Sequence, residues 1–352
     1  MADESDLIIR QEGRAGRITL NRPKALNALT YDQSLAIERT IIQWSGDDAV
    51  QVVIIDGAGD RAMCAGGDVQ ALYEQRNDGG ASASQFWRDE YRLNSKIGRY
   101  PKPFVAIMDG IVMGGGIGLG GHASHRVVTE RSMLAMPETT IGLIPDVGGM
   151  WLLANAPGRL GEYLGMLGER MGAADAIYAG FADTFVAVEK LDELVKALCE
   201  TDGDPIGVTL ASFAGAPPPT VHADRQANID QIFAADTLED IVVALRTSNI
   251  DWAEKALKAI DQRSPLSLKL TLAAVREART FSSLEDSLKL EFRLCSRLAQ
   301  HGEFFEGIRA LLIDKDKSPK WNPTTIGDVS EDMVTAFMGP LDEIPELDLV
   351  GS

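Results

Sequence analysis

The 352-residue chain carries 34 Lys and Arg against 52 Asp and Glu, a formal charge of −18. So acidic a surface repels nucleic acid and anionic membranes, so neither is expected as a main partner. With 45% apolar and 24% charged residues, the composition is that of a globular protein too long for one small core.

The opening MADESDLIIR has neither the basic start nor the apolar run of a signal or transit peptide. No stretch of about 18 apolar residues suggests a membrane span. The three cysteines, Cys64, Cys199 and Cys295, are odd in number and far apart, so they form neither a disulfide framework nor a zinc pattern. A reducing, cytoplasmic setting is expected. His122 and His125 lack nearby acidic or thiol ligands, so no metal site is expected and both should border a helix.

In chain order, GRITLN (Gly16–Asn21) alternates at period two and predicts a strand, and RPKALNALT opens a helical pattern running through Trp44. VQVVIIDGAG (Val50–Gly59) reads as a buried strand ending in glycine. FVAIMDG (Phe104–Gly110) and the shorter RVVTE (Arg126–Glu130) repeat that reading. Strand, loop and helix in succession make an α/β chain. Some connections are too short for the crossovers of a regular doubly wound sheet. Gly and Pro concentrate in TDGDPIG and GAPPPT between Thr201 and Thr220. The expected organisation is therefore a core over 1–200, a linker over 201–223 and a helical region over 224–352. In that region Ser264-Pro265 predicts an N-cap with proline at the first helical position, Ser283 starts another helix, and EFFEGIRALLI follows.

Gly116–Gly121 satisfies G-x-G-x-x-G, but the next strand-like piece starts about five residues later, leaving no room for the crossover helix of a dinucleotide site. The glycines more simply let backbone approach closely. MCAGGD (Met63–Asp68) is a second glycine turn after a strand. Two such turns can aim two N–H groups at one oxygen as an oxyanion hole, or can be tight turns that pack helices closely. Just downstream, MPETTIGLIPDVGG places Glu138 and Asp146 eight positions apart, each after a proline. Buried among Met136, Ile141, Leu143 and Ile144, Glu138 would have a raised pKa suited to proton transfer, and an acid pair in unequal surroundings can divide labour. Capping and turn formation would account for the same residues, and spacing alone does not decide. Cys64 has no histidine placed near it and reads as a packing residue. No G-x-S-x-G elbow is present.

NRPKALNAL, CAGGD, DGIVMGGGIGL and MPETTIGLIPDVGG, in that order, resemble the crotonase (enoyl-CoA hydratase/isomerase) superfamily. Together with SPLSLKLTL and EFFEGIRALLIDKDKSPKW, they are most similar to its 3-hydroxyisobutyryl-CoA hydrolase branch, over roughly Leu7 to Trp321. The resemblance implies a crotonase-like spiral of ββα units with two roughly perpendicular sheets. A helical C-terminal region would cover the active site or mediate oligomer contacts, so a homo-oligomer is possible. It implies an acyl-CoA thioester hydrolase in which the Gly67 and Gly115 N–H groups hold the thioester oxygen. Substrate contacts would fall on Glu90, Gly115, Glu138 and Asp146, with Glu138 and Asp146 catalytic. Coenzyme A, part of the substrate rather than a separate cofactor, would lie along Lys24, Ala25, Leu26, Ala65 and Asp68, with Arg22, Lys24 and Arg61 offering charge to its phosphates. The hydratase pattern has a glutamate two residues after its GGG, where this chain has Gly118. Asp146 stands where hydratases commonly have glycine. That rearrangement favours hydrolysis over hydration or double-bond isomerisation. A non-catalytic acyl-CoA- or RNA-binding homologue is the remaining alternative.

Overall fold

The computed structural model describes residues 5–201 and 205–349, so part of the acidic opening and part of TDGDPIG lie outside the described residues. Among the described residues nine strands form two sheets: β1 (Leu7–Glu12), β2 (Ala15–Leu20), β3 (Val52–Gly57), β4 (Ala62–Cys64), β5 (Phe104–Met108), β6 (Ile111–Met113), β7 (His125–Val128), β8 (Met133–Ala135) and β9 (Thr184–Phe185). The larger sheet has the order β1-β2-β3-β5-β7-β9 and the smaller β4-β6-β8. Only β1 and β2 run antiparallel, as a hairpin; all other pairs are parallel. Each turn of the chain therefore lays one strand in each sheet (β3 then β4, β5 then β6, β7 then β8), which is the spiral of ββα units expected. The crossing from β5 to β6 is made at Gly110, whose φ of +71° and contact with the Arg61 backbone exclude a side chain.

The apolar runs read as buried strands have both faces covered, as parallel sheets require. In β3, Val53 and Ile55 join the main core, whereas Val52 and Ile54 point into a second cluster. That cluster is closed by Leu194 and Leu198 of the helix Leu191–Glu200 and by Ile206 and Leu210 of the helix Ile206–Phe213. Burying each such side chain contributes about 1.5–3 kcal/mol. The stretch read as a linker over 201–223 thus contains a helix packed on the sheet. Ile206 and Leu210 sit four apart, one apolar stripe that Gly and Pro content concealed. From residue 222 onward, the helices contribute Phe233, Leu266, Leu288 and Phe304 to the same core as β3 and β5.

Ser264 and Ser283 cap their helices as expected, accepting from the Ser267 and Asp286 N–H groups. The helical pattern read from Arg22 to Trp44 is broken: a short turn over Pro23–Ala25 ends in left-handed Leu26 and Asn27, and α1 (Tyr31–Ser45) begins at a Thr30 capping box, with the short α2 (Val69–Glu74) next in the chain. No helix among the described residues is long and apolar enough to cross a membrane.

Candidate active site

Three neighbouring strands of the small sheet end at one place. β4 runs into Gly66-Gly67, β6 into Gly114-Gly115, and β8 into Met136-Pro137-Glu138. Parallel strands about 4.8 Å apart bring the three chain ends together at the sheet's carboxyl edge, where open α/β sheets commonly bind ligands. The Gly67 segment is fixed by Leu29, whose N–H donates to the Gly66 carbonyl at 2.8 Å and whose carbonyl accepts from the Asp68 N–H at 2.8 Å. A Cβ on Gly115 would lie 3.2 Å from the Gly67 nitrogen, so the two backbones are in contact. Among the described residues, neither the Gly67 nor the Gly115 N–H donates a backbone hydrogen bond. Two free donors side by side are what an oxyanion requires.

Three carboxyl groups face this point. Glu138 starts a 3₁₀ turn over Glu138–Ile141 and is 6% exposed; Glu90 lies on α3 (Ala81–Gly98) and is 2% exposed; Asp146 is 5% exposed. The Glu138 Oε1 is 2.8 Å from where a Cβ on Gly114 would sit, and the Glu90 Oε1 is 2.8 Å from the corresponding point on Gly115. Glu90 Oε1 and Glu138 Oε2 have no protein hydrogen-bond partner. Burial, reinforced by the neighbouring Asp146, pushes both Glu90 and Glu138 well above the usual carboxylate range. Asp146 is itself pushed up to about 7 by burial, while the Tyr91 hydroxyl, donating to its Oδ2 at 2.8 Å, pulls it back.

The turn that carries Asp146 is strained. Val147 has φ +54°, a left-handed conformation that a β-branched residue rarely adopts. Its carbonyl accepts from His122 Nε2 at 2.7 Å, a neutral imidazole because burial lowers its pKa to about 4. The next N–H, of Gly148, donates to Glu291 Oε2 at 2.6 Å, and the Met150 N–H to Glu291 Oε1 at 2.9 Å. His122 and Glu291 thus hold the two sides of the 147–148 peptide. Glu291 receives a third hydrogen bond from the Ser287 hydroxyl. Burial nevertheless pushes its carboxyl up to about 8.

The two glycine turns, the three carboxyls Glu90, Glu138 and Asp146, and Val147 line a cavity of about 210 Å³ whose remaining walls are largely apolar, including Trp87, Ile141 and Leu143. The helix Glu303–Ile308 and the π turn Arg309–Ile313 supply Phe304, Leu311 and Leu312, so the C-terminal region closes the site. Ala65 opens the rim, and its N–H donates to the Leu26 carbonyl at 3.0 Å, joining the Pro23–Leu26 segment to the same edge.

The sequence model of the enoyl-CoA hydratase/isomerase family matches residues 15–338. The chain belongs to this family. It is 41% identical over 347 residues to the mitochondrial 3-hydroxyisobutyryl-CoA hydrolase of Danio rerio, covering 96% of this chain and 91% of that protein. Among solved structures it is similar to a carnitinyl-CoA dehydratase from Mycobacterium thermoresistibile, at 45% identity and TM-score 0.93 over 99% of this chain and all of that one. It is equally similar in sequence to an enoyl-CoA hydratase from Rhodobacter sphaeroides, with TM-score 0.91 over 96% of this chain and 98% of the other.

Against the family's hydratase pattern, position 118 is decisive. A Cβ there would lie 2.7 Å from the Asn94 Nδ2 and 2.8 Å from the Val147 Cβ, so no glutamate fits without rebuilding the wall. Of the residues expected in the site, Gly67, Gly115, Glu90, Glu138, Asp146 and Ala65 line one cavity. Lys24 and Ala25 are exposed on the rim, and Leu26 and Asp68 are half-buried beside it. Arg22 is not free for a phosphate: its guanidinium donates to the Ala28 carbonyl at 2.8 Å and to Asp68 at 3.1 Å. Lys24 and Arg61 remain exposed. Tyr91 and Glu291 had no signal in the sequence, being single polar residues in helical patterns. Cys64 is buried and its thiol pushed up to about 12, as befits a packing residue.

Proposed function

We propose that this chain hydrolyses the thioester bond of a short 3-hydroxyacyl-CoA, with 3-hydroxyisobutyryl-CoA of valine breakdown as its substrate. One observation carries this reading above the others: two unpaired backbone donors face three buried carboxyls, while the position of the hydratase's first glutamate is a glycine without room for a side chain. The curated hydrolase relative, aligned over nearly the whole chain, supports the same assignment.

In this mechanism the Gly67 and Gly115 N–H groups hold the thioester oxygen and stabilise the negative charge that develops on it. Glu138 then has two routes. As a nucleophile it attacks the carbonyl carbon, the C–S bond breaks, coenzyme A leaves as thiolate, and water cleaves the resulting acyl anhydride. As a general base it takes a proton from water, which attacks the carbonyl directly. In either route Asp146 holds the substrate hydroxyl or the water, or returns a proton to the thiolate. Its pKa near 7 lets it do so in either protonation state at neutral pH. Coenzyme A runs outward past Ala65 toward Lys24, Ala25, Leu26 and Asp68, with Lys24 and Arg61 as the cations left for its phosphates. Three free buried cysteines are consistent with a reducing compartment such as the cytoplasm, while the similar protein of Danio rerio is mitochondrial.

The rival is hydration or dehydration, which the names of the two similar crystal structures favour. Incubation with 3-hydroxyisobutyryl-CoA separates them. Free thiol, captured by a chromogenic reagent, supports hydrolysis. A change in enoyl absorbance without thiol release supports the rival and overturns the proposal.

A further inference from the structure

Asn94 is the one residue among those described whose side-chain oxygen and nitrogen are both buried without a hydrogen-bond partner; the residue is 0% exposed. A buried amide offers two donors and a twofold acceptor, and leaving all of them unmet is costly enough that native structures avoid it. Its surroundings explain why no side chain answers it. Asn94 lies one helical turn from Glu90 on α3, on the same face. The opposing helix, α4 (Gly115–Gly120), presents glycines at the matching positions: a Cβ on Gly115 would meet Glu90 Oε1, and one on Gly118 would meet Asn94 Nδ2. Glycine's missing side chains leave bare backbone along this seam. Glu90 Oε1, at its cavity end, is a second buried oxygen without a partner. Val147, whose Cβ is 2.8 Å from the same point on Gly118, separates the Asn94 end from the cavity.

We propose that Asn94 and Glu90 together bind one ordered water in this seam, behind the wall of the cavity. An amide and a carboxyl supply between two and four hydrogen bonds, the number typical of a buried water. The water holds the Glu90 carboxyl in its place across the oxyanion hole, which makes Asn94 a positioning residue. That role deepens the hydrolase reading above and rests on it, but the water site does not.

The test is a crystal structure of the full chain at a resolution that shows solvent, combined with two variants. The expected density is one water about 2.7–3.2 Å from an Asn94 amide atom and from Glu90 Oε1. A dry seam, or an Asn94 amide bonded directly to protein, overturns the site. Asn94→Leu keeps the branched shape, in a somewhat larger side chain, but not the hydrogen bonds, and is expected to lower kcat/KM about ten- to hundredfold. Asn94→Ser, which keeps a hydroxyl and makes room for a second water, is expected to restore most of that loss. Full activity in Asn94→Leu together with a raised Tm would show the amide to be an unhydrated defect and would sink the proposal. If Asn94→Leu fails to fold, the crystal structure and Asn94→Ser decide. A water seen in an enzyme that releases no thiol leaves the site standing and removes the hydrolase reading instead.

Discussion

Replacing Gly115 by alanine separates the site from the fold. The new Cβ would lie 2.8 Å from Glu90 Oε1, 3.2 Å from the Gly67 nitrogen and 3.5 Å from the Gly66 carbonyl carbon. It therefore stands between the two donors, where the proposed mechanism holds the thioester oxygen. The stability terms nearly cancel. Alanine in place of glycine at the start of a helix gains about 1 kcal/mol of propensity, and the close contacts cost about 1–3 kcal/mol. The catalytic term does not cancel: alanine keeps its N–H, but a methyl that pushes the oxygen out of reach of even one donor forfeits about 2.7–4 kcal/mol, or 10²–10³-fold in rate. The assay is thiol release from a short 3-hydroxyacyl-CoA alongside a thermal melt. Gly115→Ala is expected to melt within a few degrees of the wild type while kcat/KM falls at least a hundredfold. Gly116→Ala is the contrast: its Cβ would run into the Cys64 carbonyl, so folding itself should fail. A Gly115→Ala enzyme keeping more than a tenth of its activity would show that the oxygen sits elsewhere.

Tyr91→Phe removes the hydroxyl that opposes the effect of burial on Asp146, so the pH–rate limb near 7 should move to higher pH by about one to two units; an unchanged profile would take Asp146 out of the titration. Asp146→Asn tests the same carboxyl through stability. A folded pKa of about 7 against the ordinary 3.8 means the native state holds this proton more tightly, so stability falls as pH rises from about 4 to 7. The variant cannot ionise there, and its stability relative to wild type should grow over that window by at most about 4 kcal/mol, read from denaturant melts at several pH values. Glu291→Gln can accept only one of the two N–H bonds that hold the 148–150 backbone, leaving a buried donor unpaired at about 1–3 kcal/mol. The expected result is a lowered Tm with a larger fall in kcat than rise in KM, and a fall in Tm alone would confine Glu291 to structure.

The strands and the two glycine turns were legible because buried β runs and paired glycines leave strong local signals. The ends of β2, β3 and β7 fall within two residues of those read from GRITLN, VQVVIIDGAG and RVVTE. The short strands β4, β6 and β8 were not, because three residues carry no periodicity. Yet these three set the site by delivering Gly67, Gly115 and Glu138 to one edge. Glu138 and Asp146 could be singled out from their neighbours, but their convergence with Glu90 across the cavity is a long-range fact. The clamp on Val147 was illegible for the same reason. Glu291 reads as an ordinary polar residue of the helix Leu284–His301, and only the fold brings it to the Gly148 and Met150 N–H groups. His122 does border a helix, directly after the end of α4, but that its half-buried ring also bonds to the Val147 carbonyl is visible only in the fold.

Glu138 lies at the centre of the proposed chemistry, and Glu138→Gln changes its charge with little change of shape. The deciding measurement is single-turnover thiol release from 3-hydroxyisobutyryl-CoA by wild type and by this variant, with acyl-CoA binding measured in parallel. Wild type should release one thiol per acyl group consumed, and the variant should bind substrate but release thiol at least a thousandfold more slowly, about 4 kcal/mol of barrier. Thiol release at the wild-type rate by Glu138→Gln would contradict the assignment.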